Sequence, residues 1–206
     1  MAQDVVTLIP TGPLTNIAVA LRLEPRIADR IEHISLMGGS ADHGNATATA
    51  EFNIFVDPES ADVVFRSGVP ITMCGLNLTR QADARQAEVD RIRAIANPVA
   101  AAVADLVDFY RGSVARVWGA AGAALHDPCA VAALIDPAMF EFQRMHVAIE
   151  LHGSHTYGMT VCDARFVQAG DRSAALAERA GAPPPNASVA VTINRQRFFA
   201  LPCATP

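Results

Sequence analysis

No uninterrupted apolar run in these 206 residues reaches the roughly 20 positions a helix needs to cross a bilayer, so no membrane span is expected. The opening MAQDVVTLIP has no basic segment leading into a signal-type apolar stretch. Basic clusters are missing too. With a formal net charge of −5 and scattered cations, the chain offers nucleic acid no electrostatic footprint. Cys74, Cys129, Cys162 and Cys203 stand singly, without CxxC pairs or dense spacing. That argues for reduced thiols serving as small buried hydrophobes in a cytoplasmic protein. GxGxxG, P-loop and nucleophile-elbow motifs are all absent, as are internal repeats and low-complexity linkers.

What remains suits one large globular domain. Hydrophobic residues make up 51% of the chain and charged residues 18%, a balance that excludes disorder. Residues 5–9 read as a buried strand, because their β-branched run is typical of parallel sheets. Gly12-Pro13 opens a helix that stops at Glu24-Pro25, and residues 34–37 form the next strand. Asp57-Pro58 starts a helix through Phe65, and a third strand covers residues 70–74. The pattern predicts a polar helix over 83–96. A longer helix from Asn97-Pro98 carries Val99, Val103, Leu106, Tyr110, Val114 and Val117 at helical spacing. Another helix begins at Pro128 and closes at Asp136-Pro137. Strands are expected at 145–151, 159–162 and 189–193, with a helix-containing connection over 169–186. Alternating strands and helices of this kind predict an α/β, Rossmann-like fold whose mostly parallel sheet is flanked by helices.

Ligands of such sheets collect beyond the carboxyl ends of the strands. Three segments fall there: residues 10–16, residues 37–53 and, after a helical excursion, His126-Asp127. The second is the most unusual. Met37-Gly38-Gly39 runs into a loop of small residues that ends at Glu51-Phe52-Asn53. Glu51 and Asn53 are two apart, so an extended backbone would point both to one side. A carboxylate beside an amide can grip a sugar diol, and Asn45 could add a second amide. Each also has a structural reading: Asn45 as a turn residue, Glu51 as a solvated loop charge. Asp127 could cap the helix beginning at Pro128 or ligate a hard cation. His126 could deliver a proton near neutral pH. The Thr11 carbonyl could belong to a plain turn or face the same cation. Tyr110 and Trp118 share a helix face, as core or as a stack for a planar base. His33, His43, His146, His152 and His155 are assigned no chemistry.

Taken together, VTLIPTGPLTNIAVALRLEP, ISLMGGSADHGNATATAEFNIFVDPESADVVFRSGVPITM, LHDPCAVAALIDP and GMTVCDA resemble the nucleoside hydrolases of the inosine–uridine-preferring type, in the family's order from about residue 5 to 163. The resemblance implies a calcium-dependent enzyme of nucleoside salvage that splits the N-glycosidic bond of ribonucleosides into base and ribose. It implies calcium ligation by the Thr11 carbonyl and Asp127, ribose contacts from Asn45, Glu51 and Asn53, a pocket wall at Met37, and protonation of the leaving base by His126. It also implies a homodimer or homotetramer, and leaves base preference open. A non-catalytic ribose- or nucleoside-binding protein, or an inactive relic, is the alternative. An unrelated α/β hydrolase lacks its nucleophile–base pair.

One departure matters. The family's remaining metal ligands and catalytic base lie in an aspartate-rich DxDPGxDD motif near the N-terminus, which does not occur in these 206 residues. Ala48, where the family commonly has Pro, and the short ending after Phe199 are minor differences. The expectation is a single domain over 1–206 lacking the family's first strands, with an exposed sheet edge and marginal or self-associating behaviour. Ribose release from inosine or uridine with added calcium should be slight for this chain and restored by an N-terminal extension bearing the motif. Turnover by the 206-residue chain at ordinary enzymatic rates would refute this expectation.

Overall fold

A computed structural model describes residues 5–167 and 173–201. In chain order the elements are β1 (Val6–Leu8), α1 (Thr15–Leu23), a 3-10 segment (Pro25–Arg30), β2 (Ile31–Met37), α2 (Phe52–Val56), α3 (Pro58–Phe65) and β3 (Ile71–Cys74). There follow α4 (Leu76–Thr79), β4 (Asp83–Ala84), α5 (Gln86–Arg93), α6 (Pro98–Trp118), β5 (Ala123–Ala124) and α7 (His126–Ile135). A 3-10 turn at Pro137–Met139 leads to β6 (Phe140–Met145), β7 (Val147–Ile149), β8 (Thr160–Cys162), α8 (Ser173–Arg179), β9 (Ala187–Ile193) and α9 (Arg195–Phe198).

The central sheet has five strands in the order β1-β2-β3-β9-β6. β1, β2, β3 and β9 are parallel, and β6 closes the far edge antiparallel to β9. Two antiparallel ribbons, β4–β5 and β7–β8, lie outside it. One face of the sheet packs Ile34, Leu36, Met73 and Val189 against Leu14, Ala18 and Leu21 of the α1 region and Ala61, Val64 and Phe65 of α3. The other packs Cys74 and Ala190 against Leu78, Val89, Ala104, Cys129 and Phe198. Helices on both faces of a mostly parallel sheet make the α/β architecture that the alternation predicts.

Several local expectations change. β1 is a sheet edge and not a buried strand: Val5 and Val6 are half exposed, since pairing exists only on the β2 side. α1 starts at Thr15 with Leu14 at its N-cap, two residues past Pro13. The segment expected as one polar helix over 83–96 opens as β4, because Asp83 and Ala84 pair with Ala124 and Ala123 before α5 begins. The strand expected over 145–151 divides at His146 into β6 and β7, which join different sheets. The apolar stripe of α6 faces outward, with Val99, Leu106 and Val117 about 70% exposed. The helix buries Ala100, Ala104 and Val107 instead, small residues that permit its approach to α5. Of the expected 169–186 connection, residues 169–172 lie outside the described residues, as do Cys203 and the Trp118 side chain.

The helix starts follow their capping residues. Asp57 caps α3, accepting from the Ser60 N–H at 3.0 Å and the Ser60 hydroxyl at 2.7 Å, and also from Thr15 of α1. Asn97 caps α6 through the Ala100 N–H at 2.8 Å. Asp57 therefore ties two helices that cover the same sheet face. Replacing it, Asp57→Ala, should destabilise the fold by about 1–2 kcal/mol, and Asp57→Asn by clearly less, measured by urea unfolding. Equal losses in the two variants would contradict the capping role.

Candidate active site

The site forms where β1 and β2 end. The Met37 N–H donates to the Pro10 carbonyl at 2.9 Å, which draws the β1 exit, with Thr11 next to it, over the end of β2. Beyond Met37 the chain turns through Gly39 at φ 72°, a left-handed conformation in which a Cβ would stand 2.7 Å from a Thr160 methyl. Ser40 is then clasped by Thr160 of β8: its N–H donates to the hydroxyl at 2.8 Å, and the hydroxyl donates to its carbonyl at 2.6 Å. The Ala41 N–H donates to Asn77 of α4 at 3.1 Å. In this way GMTVCDA, remote in sequence, fixes the loop after β2.

Glu51 and Asn53 do converge on this loop, but not along an extended backbone. Glu51 is the N-cap of α2 and Asn53 lies within that helix. Nor is Glu51 a solvated loop charge, being only 3% exposed. One carboxylate oxygen accepts from the Asn53 N–H at 2.9 Å, and the other from Gly39 at 2.9 Å and Ile54 at 3.2 Å. Burial raises its pKa against the pull of those three N–H groups, and the nearby Asp127 carboxylate raises it further. Buried Asn53 donates its amide to the Met37 carbonyl at 3.0 Å. Exposed Asn45 accepts from the Phe52 N–H at 2.9 Å, holding the far end of the loop.

The fourth side is α7. The Ser35 hydroxyl of β2 donates to the Ala130 carbonyl at 2.7 Å, and Met37, Leu76 and Ala130 pack together beneath the site. α7 begins at His126 with Leu125 at its N-cap and no side-chain cap bond, so Asp127 does not cap a helix starting at Pro128. Among the described residues, nothing donates a hydrogen bond to the exposed Asp127 carboxylate. The His126 ring is half-buried, with Nδ1 2.7 Å from the Thr79 hydroxyl. Burial lowers its pKa, Asp127 opposes the shift, and Arg80 adds to it. Arg80 reaches across to His43 and donates to the Gly44 carbonyl at 3.1 Å.

Thr11 and Asp127 also line a cleft of about 1220 Å³, together with Arg91, Asn97 and apolar residues such as Ile92, Val103, Val131 and Phe199. The structure thus assembles Thr11, Met37, Glu51, Asn53, His126 and Asp127, with Asn45 at the loop's rim. Tyr110 is exposed on α6. Among the described residues no group of three or more His, Cys, Asp or Glu could hold a metal. Thr11 and Asp127 offer oxygens of the kind calcium takes, but only two of the six to eight it needs. By themselves they do not form a calcium site. Sequence reasoning missed Ser40, Asn77, Thr79, Arg80 and Thr160, whose partners lie far along the chain.

Glu51→Gln would keep the side chain's shape while setting an amide N–H₂ against a backbone N–H. Despite removing a buried charge, it should cost about 1–3 kcal/mol in denaturant unfolding. An unchanged midpoint would show that the carboxylate does not hold the loop.

The family model for inosine-uridine preferring nucleoside hydrolase matches residues 1–200. Curated relatives include the pyrimidine-specific ribonucleoside hydrolase RihA of Shewanella woodyi, 49% identical over 97% of this chain and 60% of its own length. The protein of the same name from Shewanella oneidensis is 51% identical over 98% of this chain and 61% of its own. Among solved structures, a purine-preferring ribonucleoside hydrolase from Gardnerella vaginalis superposes with a TM-score of 0.78 at 35% identity, covering 94% of this chain and 57% of that one. The chain spans about 60% of the length of the curated relatives it matches. On its sequence, its sheet and the loops gathered at its strand ends, this chain belongs to the inosine-uridine preferring nucleoside hydrolase family.

Proposed function

We propose that this chain carries the sugar-holding and leaving-group part of a ribonucleoside hydrolase, which splits the N-glycosidic bond into base and ribose. The observation that carries the reading is the meeting of Thr11, Glu51, Asn53, His126 and Asp127 at the carboxyl ends of β1 and β2. Asn53 spends its amide N–H on Met37, so its oxygen is left to accept from a ribose hydroxyl. Asn45 spends its oxygen on Phe52, so its amide N–H₂ is left to donate. Glu51 keeps one spare lone pair, though its first task is to hold the loop. Met37 forms the floor.

Cleavage of the bond leaves positive charge on the ribosyl ring and an electron pair on the departing base. Carboxylates beside the sugar favour the first. An N–H from His126 directed at the base favours the second, and the lowered pKa means a largely neutral imidazole near pH 7. In this reading the Thr11 carbonyl and the Asp127 carboxylate would supply two of the oxygens for a calcium ion. When bound, it would hold the ribose diol and acidify a water. The pyrimidine-specific relatives, at about half identity, support uridine or cytidine as substrate. The same reading places the protein in the cytoplasm as a homodimer or homotetramer.

A second reading, nucleoside binding without turnover, is favoured by the two-ligand metal set. Ribose release from uridine, cytidine and inosine, measured during a calcium titration, separates the two. The expected result is slight but calcium-dependent release, faster for the pyrimidines and abolished by a chelator. His126→Ala should lower kcat by about 10²- to 10⁴-fold while nucleoside still binds. Saturable binding without release in excess calcium would favour the second reading, and inosine preferred over uridine would overturn the substrate assignment.

A further inference from the structure

Thr79 ends the short helix α4 and is fully buried. Its neighbours fix it: Leu76 and Leu78 are in the core, and the Leu76 N–H donates to the Gly39 carbonyl at 2.9 Å. A helical threonine commonly turns its hydroxyl back to the carbonyl four residues earlier. Here the Gly75 carbonyl accepts only from the N–H groups of Leu78 and Thr79, at 3.0 and 2.9 Å. The one hydrogen bond of the hydroxyl among the described residues is the 2.7 Å contact with His126 Nδ1. A hydroxyl carries a single proton, and leaving it without an acceptor in a buried place costs about 1–3 kcal/mol. In a neutral imidazole only the unprotonated nitrogen can accept.

We propose that Thr79 is a positioning residue that sets the tautomer of His126: its hydroxyl donates to Nδ1 and thereby places the ring proton on Nε2. The opposite tautomer would present Nδ1–H to the hydroxyl and strand the hydroxyl's own proton. With Nδ1 engaged by α4, the edge of the ring bearing Nε2 is the one left to donate. Resting on the proposed role of His126 toward the departing base, this makes Thr79 responsible for His126 meeting its substrate as a donor. Nothing in the side chain's packing requires it. Valine has nearly the same shape and would fill the same space.

The test is ¹⁵N NMR of the histidine rings in the substrate-free protein, at a pH where His126 is neutral, with its signals assigned by loss in His126→Ala. The wild type should show Nε2 protonated and Nδ1 as the bare, pyridine-type nitrogen. Thr79→Val should shift His126 toward mixed tautomers, and Thr79→Ser should restore the wild-type pattern. A packing role alone would leave the valine variant's ring signals unchanged, and that result would overturn the proposal. So would an Nδ1-protonated ring in the wild type, a measurement that stands even if the valine variant does not fold. In turnover, Thr79→Val should lower kcat by roughly 10- to 100-fold with KM little changed. Because the ring signals are read without substrate, the expected tautomer in a protein that hydrolyses no nucleoside would defeat the proposed function and leave the role of Thr79 intact.

Discussion

A buried carboxylate holding three backbone N–H groups is the contact on which the rest of the site depends. Glu51 joins the turn at Gly39 to the start of α2, closing the 11-residue loop between them. Such a loop has little apolar surface to bury, so its order must come from polar contacts that outweigh its conformational entropy. Glu51 supplies three where the loop's ends meet, Thr160 two at Ser40, Thr47 two within the loop, and Asn45 one to Phe52. Without Glu51, Gly39 and Asn53 have no shared partner, and the floor at Met37 loses its cover.

Around that clasp the sheet supplies the geometry. Parallel pairing sends the ends of β1, β2 and β3 out of the same side, and the crossovers leave room there. The bond from Met37 to Pro10 keeps the first two exits together, and the one from Leu76 to Gly39 joins the third. α7 then arrives from far along the chain, secured by Ser35, and places His126-Asp127 over the same exits. Glu51, His126 and Asp127 therefore sit at the starts of helices, while the loop after β2 is held by side chains on its neighbours.

Much of this was legible in the sequence because it is local. β-branched runs, Asp-Pro and Asn-Pro helix starts, and the Met37-Gly38-Gly39 exit are written within a few residues. The burial of Glu51 was not, since nothing near it in the chain announces that the Gly39 N–H will face it. Thr79 and Thr160 were unreadable for the same reason: their partners lie 47 and 120 residues away. The stripe on α6 misled because helical periodicity marks an apolar face without saying whether anything covers it. His126-Asp127 shows the opposite case. Read alone the pair suggested a helix cap, and only the start of α7 one residue before Asp127 removes that role.

The charges of the site also have a direction. Glu51 and Asp127 lie close enough to raise the cost of ionising Glu51, so negative charge gathers where the ribose would sit. At the His126 ring burial lowers the pKa, and the charges of Asp127 and Arg80 act in opposite directions, Asp127 the more strongly. Glycosidic cleavage of a nucleoside puts positive charge on the sugar, the sign that such carboxylates favour. Carboxylates already fixed in a partly buried site favour positive charge without reorganising, whereas water must turn to meet it. The desolvation of Glu51 comes from its burial at the start of α2. A fully hydrated carboxylate would keep its usual pKa but lend the sugar far less, because solvent would screen it before the charge developed.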